Sequence, residues 1–310
     1  MTRGIRCIGI CAWGYVRDKE LLINKDANFQ YASYKATTIV RPHEPVSLNG
    51  DHTHFLLVDD GRRGTPTGAA DLRARLEERI ADPGVGGLGI PVILLILEGG
   101  LGVITDVLHS LRRGIPVVVI QGTGRAADII AFAQHETYKR SRGRKVFRSD
   151  TKKKLEEMLE DAYIKIHRGS KEQLFAYVDE LEKCMEFVDL INVFDLNSDQ
   201  ELDAVILNAL MKESGIEDSL LPMEPLQLAL MWDRPDMAEK IFSGRHDWPP
   251  GCLDDMMTDT LLRNNVAFFN LLVLNVVFLK DYLTVRRLRL LYNLTVTGRS
   301  TLRRALERHS

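Results

Sequence analysis

The sequence has few cysteines, almost no excess charge and few aromatic residues. Four cysteines lie far apart among 310 residues with no C-x-x-C pair, which excludes a disulfide scaffold and a zinc site built on paired cysteines. The 41 Lys and Arg nearly balance the 43 Asp and Glu, so no overall field draws the protein to a polyanion. We expect no nucleic-acid partner and a reducing, cytosolic environment.

No apolar run is long enough to predict a membrane span. Residues 266–279, VAFFNLLVLNVVFL, contain two Asn and fall short of the about 20 residues that a spanning helix needs. The start of the sequence, MTRGIRCIGICAWGYVR, lacks the apolar core of a signal peptide. We expect a buried helix at 266–279, and neither a span nor a targeting segment in this chain.

The common catalytic and metal-binding motifs are absent as well. No Ser occupies a nucleophile-elbow motif, and no H-E-x-x-H occurs. His52 and His54 alternate onto one face of an extended segment, but two ligands do not make a metal site. We therefore predict no enzyme activity, no catalytic residue, no metal site and no cofactor.

The first part of the chain alternates between strand and helix patterns. Strands are predicted at 5–11, 54–60, 91–97 and 116–122, and helices at 70–80, 104–113 and 126–134. Runs such as VILLIL and VVVI are continuously apolar, as strands are when helices cover both faces of a sheet. The pattern predicts an α/β fold with a doubly wound parallel sheet.

The rest of the chain predicts a different architecture. Residues 139–154 are basic and contain Gly and Ser, which indicates a linker that either contacts a phosphate-rich partner or lipid or is solvated. From residue 155 onward the pattern is helical, and segments 228–242 and 258–272 each predict two helices joined by a polar turn. We predict three parts: an α/β domain at 1–138, a linker at 139–154, and an all-α domain of ankyrin-like repeats at 155–310.

The most informative short motif is the glycine-rich turn that follows the third strand. It contains Gly99, Gly100 and Gly102 directly after Glu98. Glycines at such a turn let backbone amides approach a ligand, and the next helix directs free N–H groups and its positive dipole end to the same place. Phosphate is the natural ligand, although tight turns also use glycine for steric reasons alone.

Each of the four predicted strands ends in an unusual cluster of residues. The clusters are Trp13-Gly14, Asp59-Asp60-Gly61, Glu98 to Gly102, and Gly122-Thr123-Gly124-Arg125. Because the carboxyl ends of parallel strands share one edge of a sheet, we expect the clusters to meet at one cleft. The pattern favours a multi-point site for a diphosphate.

The chemistry of the clusters suggests a role for each side chain. Thr123 is expected to cap a helix whose first turn holds Arg125, which either binds a phosphate or lies in solvent. Trp13 is either a stacking surface for a base or a core residue. Asp60 or Glu98 could accept hydrogen bonds from ribose, whereas a turn with a helix-capping role is the alternative for Asp59 and Asp60.

Four segments follow one another in the first half of the chain: HFLLVDDG, LRARLEERI, IPVILLILEGGLGVI and GIPVVVIQGTGRAADIIA. In this order they resemble the N-terminal cytosolic homology region of melastatin-type transient receptor potential (TRPM) cation channels. CAWG and the downstream VILNALMKES, LQLALMWDRPDMAEKIF and MTDTLLRNNVAFFNLLVLN are also similar to that region. The resemblance implies a Rossmann-like, SLOG-type nucleotide-sensing domain followed by ankyrin-like helices, in a calcium-permeable channel that assembles as a homotetramer at the plasma membrane.

The resemblance also implies a ligand and its contacts. Some members of the family bind ADP-ribose, and the matching positions here are Trp13, Gly14, Arg73, Gly99, Gly100, Gly102, Gly124 and Arg125. From the residues alone, Arg73 reads as the partner of Glu77 in a surface ion pair. This sequence has Leu101 and Val103 where the family usually has Pro and Thr.

Two other functions remain as alternatives. In the first, the cleft is empty and the chain is a purely structural module for oligomer assembly. In the second, the chain resembles phosphoribohydrolases of the same fold superfamily, whose turn reads P-G-G-x-G-T-x-x-E. Asp106 stands where those enzymes have a catalytic Glu, but their Pro and Thr are absent here.

Overall fold

The computed structural model describes most of the chain, with gaps. The described residues are 6–23, 33–37, 44–64, 69–82, 84, 86–139, 145–164, 171–213, 223–243 and 248–297. The chain divides into two compact units, residues 1–209 and 210–310. All four cysteines lie within the described residues as free thiols.

The first unit alternates strands and helices as the sequence predicts. Its strands are β1 (Ile8–Ala12), β2 (His54–Val58), β3 (Leu94–Ile96), β4 (Val117–Gln121), β5 (Tyr138–Lys139), β6 (Lys145–Val146) and β7 (Ile191–Asp195). Its helices are α1 (Ala70–Ala81), α2 (Gly102–Leu111), α3 (Arg125–Glu136), α4 (Ser149–Leu159) and α5 (Lys171–Met185), and α6 (Leu202–Glu213) follows β7. The four predicted strands and three predicted helices are all present, with small shifts at their ends.

The described strands form parallel pairings in two groups. Strand β1 pairs with β2, and Gly9 lies opposite Phe55. Strand β4 lies between β3 and β7, with Val118 paired to both Leu95 and Asn192. A short antiparallel pair, β5 with β6, completes the described sheets. The α/β prediction is therefore confirmed, while the described strand pairings do not join the two parallel groups into one sheet.

Strand β4 explains why its sequence is continuously apolar. Val117 and Val119 face a core formed with α2, α3, α4 and α5. Val118 and Ile120 face the opposite side, against Phe194 and α6. Since successive side chains of a strand point to opposite faces, a strand covered on both sides needs an apolar residue at every position.

The described residues of the predicted linker, 139 and 145–154, are part of the folded first unit. Residues 139–154 contain β6 and the start of α4, whose first turns carry the basic residues. Phe147, Leu155 and Leu159 are buried in the same core as β3 and β4. The amphipathic spacing of Leu155 and Leu159, four residues apart, directs both side chains to one helix face. Residues 145–154 therefore belong to the fold of the first unit instead of a linker, whereas the basic side chains of Lys153 and Lys154 are exposed as expected for a solvated run.

The prediction of an all-helical chain from residue 155 was also wrong at one segment. Residues 191–195, INVFD, form β7 and pair in parallel with β4 from Val117 to Gln121. Ile191 and Phe194 are buried. The core of the first unit therefore extends far beyond residue 138, and it includes Cys184, whose burial raises the pKa of its thiol to about 12.

The described residues of the second unit are helical. The helices are α7 (Met223–Met231), α8 (Pro235–Ser243), α9 (Asp254–Arg263), α10 (Val266–Asn275), α11 (Leu279–Tyr282) and α12 (Val285–Thr297). Helices α7 and α8 form one predicted pair, and α9 and α10 form the other. The helix pairs are confirmed, and their ankyrin-like character stays a prediction.

The turns of the two helix pairs are alike and are bonded to each other. Asp233 and Asn264 both have left-handed backbone conformations, with φ of 54° and 56°. Asn265 caps α10 by accepting a hydrogen bond from the Phe268 amide. Its side-chain amide donates to Asp233 Oδ1 at 2.7 Å. The polar turn of each helix pair therefore contains one residue in the left-handed backbone conformation.

Helix α10 is only partly buried. Phe268 and Leu272 are fully buried, as predicted for 266–279, but Val266 and Leu274 are 64% and 82% exposed. Among the described residues, no helix combines the length and apolarity needed to cross a membrane.

Candidate functional site

The turn after β3 is bonded to the turn after β4. The Glu98 amide donates to Thr123 Oγ1 at 2.9 Å. The carbonyls of Glu98 and Gly99 accept hydrogen bonds from the amides of Ala127 and Ala126, at 2.9 and 3.4 Å. Two clusters that the sequence predicted to be neighbours are thus held together by main-chain and hydroxyl contacts.

The predicted capping role of Thr123 was wrong. Gly124, with φ of 94° and ψ of 176°, is the N-cap of α3, and no side chain caps the helix. Thr123 instead donates to the Ile120 carbonyl at 2.7 Å and accepts from Glu98. The reason is the extra residue, since Gly124 separates Thr123 from the helix. The first α3 amides are satisfied by the β3 turn, so less of this helix end is open to a phosphate than the sequence suggested.

The other residues of the turn after β4 are Gly122, Gly124 and Arg125, and they leave space beside the start of α3. The Gly122 amide donates to Asp128 Oδ1 at 2.7 Å, which folds the turn back onto α3. At Gly124 a Cβ would meet nothing within 4 Å, so space is free above this residue. Arg125 opens α3 with φ of 55° and is exposed. The Arg125 side chain is therefore exposed at the first residue of α3, next to the free space at Gly124.

The start of α2 is the most open helix end of the site. The amides of Val103 and Ile104 donate to the carbonyls of Gly100 and Leu101, both at 3.0 Å. Across the described ranges, no protein acceptor receives a hydrogen bond from the amides of Gly100, Leu101 or Gly102. Three consecutive N–H groups thus lie at the positive end of the α2 dipole, the arrangement that favours an anion.

The glycines of this turn have different roles. Gly99 has φ of 92°, and a Cβ there would lie 2.7 Å from Val103 Cγ2, so the turn itself requires glycine at this position. At Gly100 a Cβ would meet nothing within 4 Å. The steric explanation therefore accounts for Gly99 and not for Gly100.

The ends of β1 and β2 form a second group. Gly14 packs so tightly on the next loop that a Cβ would lie 1.8 Å from the Arg62 carbonyl oxygen. Its carbonyl accepts a hydrogen bond from the Gly64 amide at 3.1 Å. Trp13 is half-buried, and the Lys19 ammonium lies 5.2 Å from its ring centroid. One face of this ring therefore already contacts a cation.

The two aspartates after β2 close turns. Asp59 Oδ1 accepts from the Gly61 amide and Asp60 Oδ1 accepts from the Arg62 amide, both at 3.0 Å. Gly61 has φ of 77°, a left-handed conformation that glycine adopts without strain. The turn role of Asp59 and Asp60 is confirmed, whereas their helix-capping role is wrong, because the N-cap of α1 is Ala69 and no side chain caps that helix. The role of Asp60 toward ribose stays a prediction.

The predicted site residues are thus found in two groups. Trp13 and Gly14 lie with the β2 turn, and the Glu98 turn lies with the Gly122 to Arg125 turn. Within the ranges that the structure describes, no hydrogen bond joins one group to the other. A single cleft formed by all four strand ends stays a prediction.

The side chain of Arg73, a residue of α1, points toward α2 and pairs with one carboxylate on each of the two helices. Its Nε is 3.5 Å from Glu77 Oε1 and its Nη2 is 3.5 Å from Asp106 Oδ1. Only 23% of the Arg73 side chain is exposed. Ser110, on the next turn of α2, donates to Glu77 at 3.3 Å. The surface-pair interpretation was therefore incomplete, because Asp106 is a second partner.

The two carboxylates beside Arg73 are costly to ionise. Burial raises the pKa of Asp106, although Arg73 and His109 act in the opposite direction. Burial also raises the pKa of Glu77, and Asp106 adds to this effect while Arg73, Ser110 and Arg113 oppose it. The protonated forms are therefore favoured by folding, relative to the ordinary values of 3.8 for Asp and 4.5 for Glu.

This cluster predicts a pH dependence of stability. Between the ordinary and the raised pKa values, the folded state binds more protons than the unfolded state, so the contribution of the cluster to stability grows as pH falls through this window and is lost as pH rises. We expect the free energy of unfolding of the wild type to rise on acidification relative to Glu77→Gln/Asp106→Asn. Urea unfolding between pH 7.5 and 4.5 measures the difference, and a constant difference would contradict the prediction.

Comparison with known proteins identifies the family. A family model described as "SLOG in TRPM" matches residues 1–184, and another, described as "TRPM2-like domain", matches residues 240–310. The chain belongs to the TRPM channel family. The SLOG match extends past residue 138 and so includes α4 and most of α5, in agreement with the core of the first unit.

Curated TRPM relatives align with nearly the whole chain. Mouse transient receptor potential cation channel subfamily M member 6 is 37% identical over 94% of this chain and 14% of its own length. Human member 7 is 35% identical over 94% of this chain and 15% of its own length. A Nematostella vectensis relative, subfamily M member-like 2, is 30% identical over 98% of the chain and 20% of its own length. The chain thus spans 14–20% of these TRPM relatives.

Sequence reasoning missed two features of this TRPM site. The first is the pairing of Asp106 with Arg73, which joins residues on different helices and leaves no local pattern. The second is the use of the Ala126 and Ala127 amides by the β3 turn. The left-handed Glu98, with φ of 52°, makes that contact and is not signalled by its residue type.

Proposed function

We propose that this TRPM region senses an anionic nucleotide, a diphosphate such as ADP-ribose, at the turns that follow β3 and β4. In a full-length channel it would also contribute to subunit assembly, in a homotetramer, on the cytoplasmic side of the membrane. The chain itself would not conduct ions. The ligand would promote or oppose gating through the parts of the channel that adjoin this region.

The observation that carries the proposal is the open start of α2. The amides of Gly100, Leu101 and Gly102 donate to no acceptor among the described residues, and they lie at the positive end of a ten-residue helix. The neighbouring turn adds free space at Gly124 and the exposed Arg125. These are the donors that a diphosphate requires: backbone N–H groups, a helix end and a planar cation.

The energies support a site with several contacts. Micromolar affinity corresponds to about 8 kcal/mol. One helix end contributes roughly 0.3–2 kcal/mol and each hydrogen bond to a charged group about 1.5–3 kcal/mol. Three amides and one guanidinium reach the required range without a contribution from the β1 and β2 group. Stacking on Trp13 would add affinity only if the ligand extended to the β1 and β2 group, and on the ring face that contacts Lys19 it would have to displace that side chain.

Calorimetric titration of ADP-ribose into the purified chain tests this function. We expect saturable binding by the wild type and a 10- to 100-fold loss of affinity in Arg125→Ala, the value of one charge-assisted hydrogen bond. Arg112→Ala is the matched control, because Arg112 is exposed at the opposite end of α2. It removes the same charge away from the proposed site and should bind as the wild type does.

The other outcomes separate the alternatives. A folded wild type that gives no heat with ADP-ribose would favour the purely structural role in assembly. Equal loss in both arginine variants would indicate a general electrostatic effect instead of a site. Release of a base from a nucleoside monophosphate, lost in Asp106→Asn, would favour the phosphoribohydrolase alternative.

A further inference from the structure

Arg73 retains unused hydrogen-bonding capacity. Its distances to Glu77 and Asp106 are both 3.5 Å, longer than the about 2.7–2.9 Å of a charge-assisted hydrogen bond. Its buried Nη2 atom makes no hydrogen bond within the described part of the protein. Arg73 is therefore held by the charge of two carboxylates and not by well-formed hydrogen bonds.

The charged and titratable groups around Arg73 come from its own helix, α1, and from the neighbouring helix α2. Helix α1 contributes Glu77, and α2 contributes Asp106 and His109, whose Nδ1 is also buried without a hydrogen bond among the described residues. Arg113 lies on the far side of Glu77, where Glu78 and Asp71 bind it at 3.1 and 3.2 Å. Arg113 already has its own carboxylates, so Glu77 and Asp106 are the anions that hold Arg73.

Asp106 connects this cluster to the open start of α2. It lies four residues after Gly102, about one helical turn or 6 Å along the axis. Because the Cα–Cβ bonds of a helix tilt toward its N-terminus, the Cβ of Asp106 lies on the side of its Cα that faces the three open amides. The partner of Arg73 is therefore within a turn of the positions where an anionic ligand would sit.

We propose that Asp106 acts as an internal anion that holds Arg73 away from the Gly100–Gly102 turn, and that a bound diphosphate takes its place as the partner of Arg73. Asp106 thereby sets the affinity and the charge preference of the site. The inference rests on the function proposed above. Exchanging one anionic partner for another keeps the guanidinium charge compensated, whereas the poorly bonded Nη2 gains a phosphate oxygen.

Two consequences follow for ligand binding. A neutral residue at position 106 leaves Arg73 more available and removes a negative charge near the phosphates, so affinity should rise by roughly tenfold. Acidification should act in the same direction in the wild type, because burial raises the pKa of both Asp106 and Glu77 and their protonation weakens their hold on Arg73. The fully esterified diphosphate of ADP-ribose keeps its charge over this range.

The experiment is calorimetric titration of ADP-ribose at pH 7.5 and pH 4.5 into the wild type, Asp106→Asn and Asp71→Asn. Asp71 is the matched control because it pairs with Arg75 and Arg113 on the solvent side, with 56% of its side chain exposed. We expect roughly tenfold tighter binding by Asp106→Asn at pH 7.5, a weaker pH dependence in that variant, and wild-type behaviour in Asp71→Asn. Thermal unfolding confirms that each variant is folded.

The results distinguish this inference from the proposed function. ADP-ribose binding by Asp106→Asn alone would support the role of Asp106 as internal anion, because Asp106 would then prevent binding by the wild type. Wild-type binding with equal affinity and pH profile in Asp106→Asn would overturn the internal anion and leave the nucleotide site intact. Absence of binding by every folded protein would overturn both.

Discussion

Replacing Leu155 with Ala should lower the free energy of unfolding by about 3 kcal/mol, since Leu→Ala changes in a packed core cost about 2–5 kcal/mol. Leu155 is fully buried on α4, in a core shared with β3, β4, α2 and α3. The substitution leaves a cavity that the surrounding helices and sheet fill only in part. Urea unfolding followed by circular dichroism measures the change.

Leu88→Ala is the control for this cavity. Leu88 belongs to the same unit, and 65% of its surface is exposed, so its truncation should change the free energy of unfolding by less than about 0.5 kcal/mol. Similar small effects at both positions would mean that α4 does not stabilise the first unit.

Replacing Gly14 with Ala should have the next largest effect, a loss of about 2–3 kcal/mol. The new Cβ would lie 1.8 Å from the Arg62 carbonyl oxygen, a main-chain atom that cannot move without displacing its loop. The hydrogen bond from the Gly64 amide to the Gly14 carbonyl would be strained as well. Thermal unfolding and the fluorescence of the adjacent Trp13 report the two consequences.

Gly50→Ala provides the comparison for Gly14→Ala. Gly50 lies in a turn before β2, and a Cβ there would meet nothing within 4 Å. Both substitutions add one methyl group and restrict the unfolded chain equally, so their difference isolates the contact with Arg62. Equal stability of the two variants would show that the loop after β2 yields to the methyl group at little cost.

The strands and helices of the first unit up to Glu136 could be predicted because local pattern and tertiary environment agree there. Strand β4 is apolar at every position and is covered on both faces, so burial and sequence give the same answer. Strand β7 could not be predicted in this way. Its five residues follow directly on helix α5 and a short turn, with no glycine or proline to separate them. Only its pairing with β4, about 70 residues earlier in the chain, makes it a strand.

The site shows the same division between local and non-local information. Clustering of glycines after β3 and β4 correctly indicated two adjoining turns, because turn chemistry is local. The bonds from Ala126 and Ala127 to the β3 turn depend on how two loops meet, and so does the pairing of Arg73 with Asp106. Such contacts join residues far apart in sequence, and no spacing rule contains them.

The hydrogen bond between Asn265 and Asp233 has a mechanical consequence. It joins the turn of one helix pair to the turn of the next, outside the apolar contacts between their helices. A force that slides one pair along its axis would stretch this exposed bond, which adds to the apolar contacts that resist sliding. Displacement of the α9–α10 pair would therefore act on the α7–α8 pair at the turns as well as at the helices.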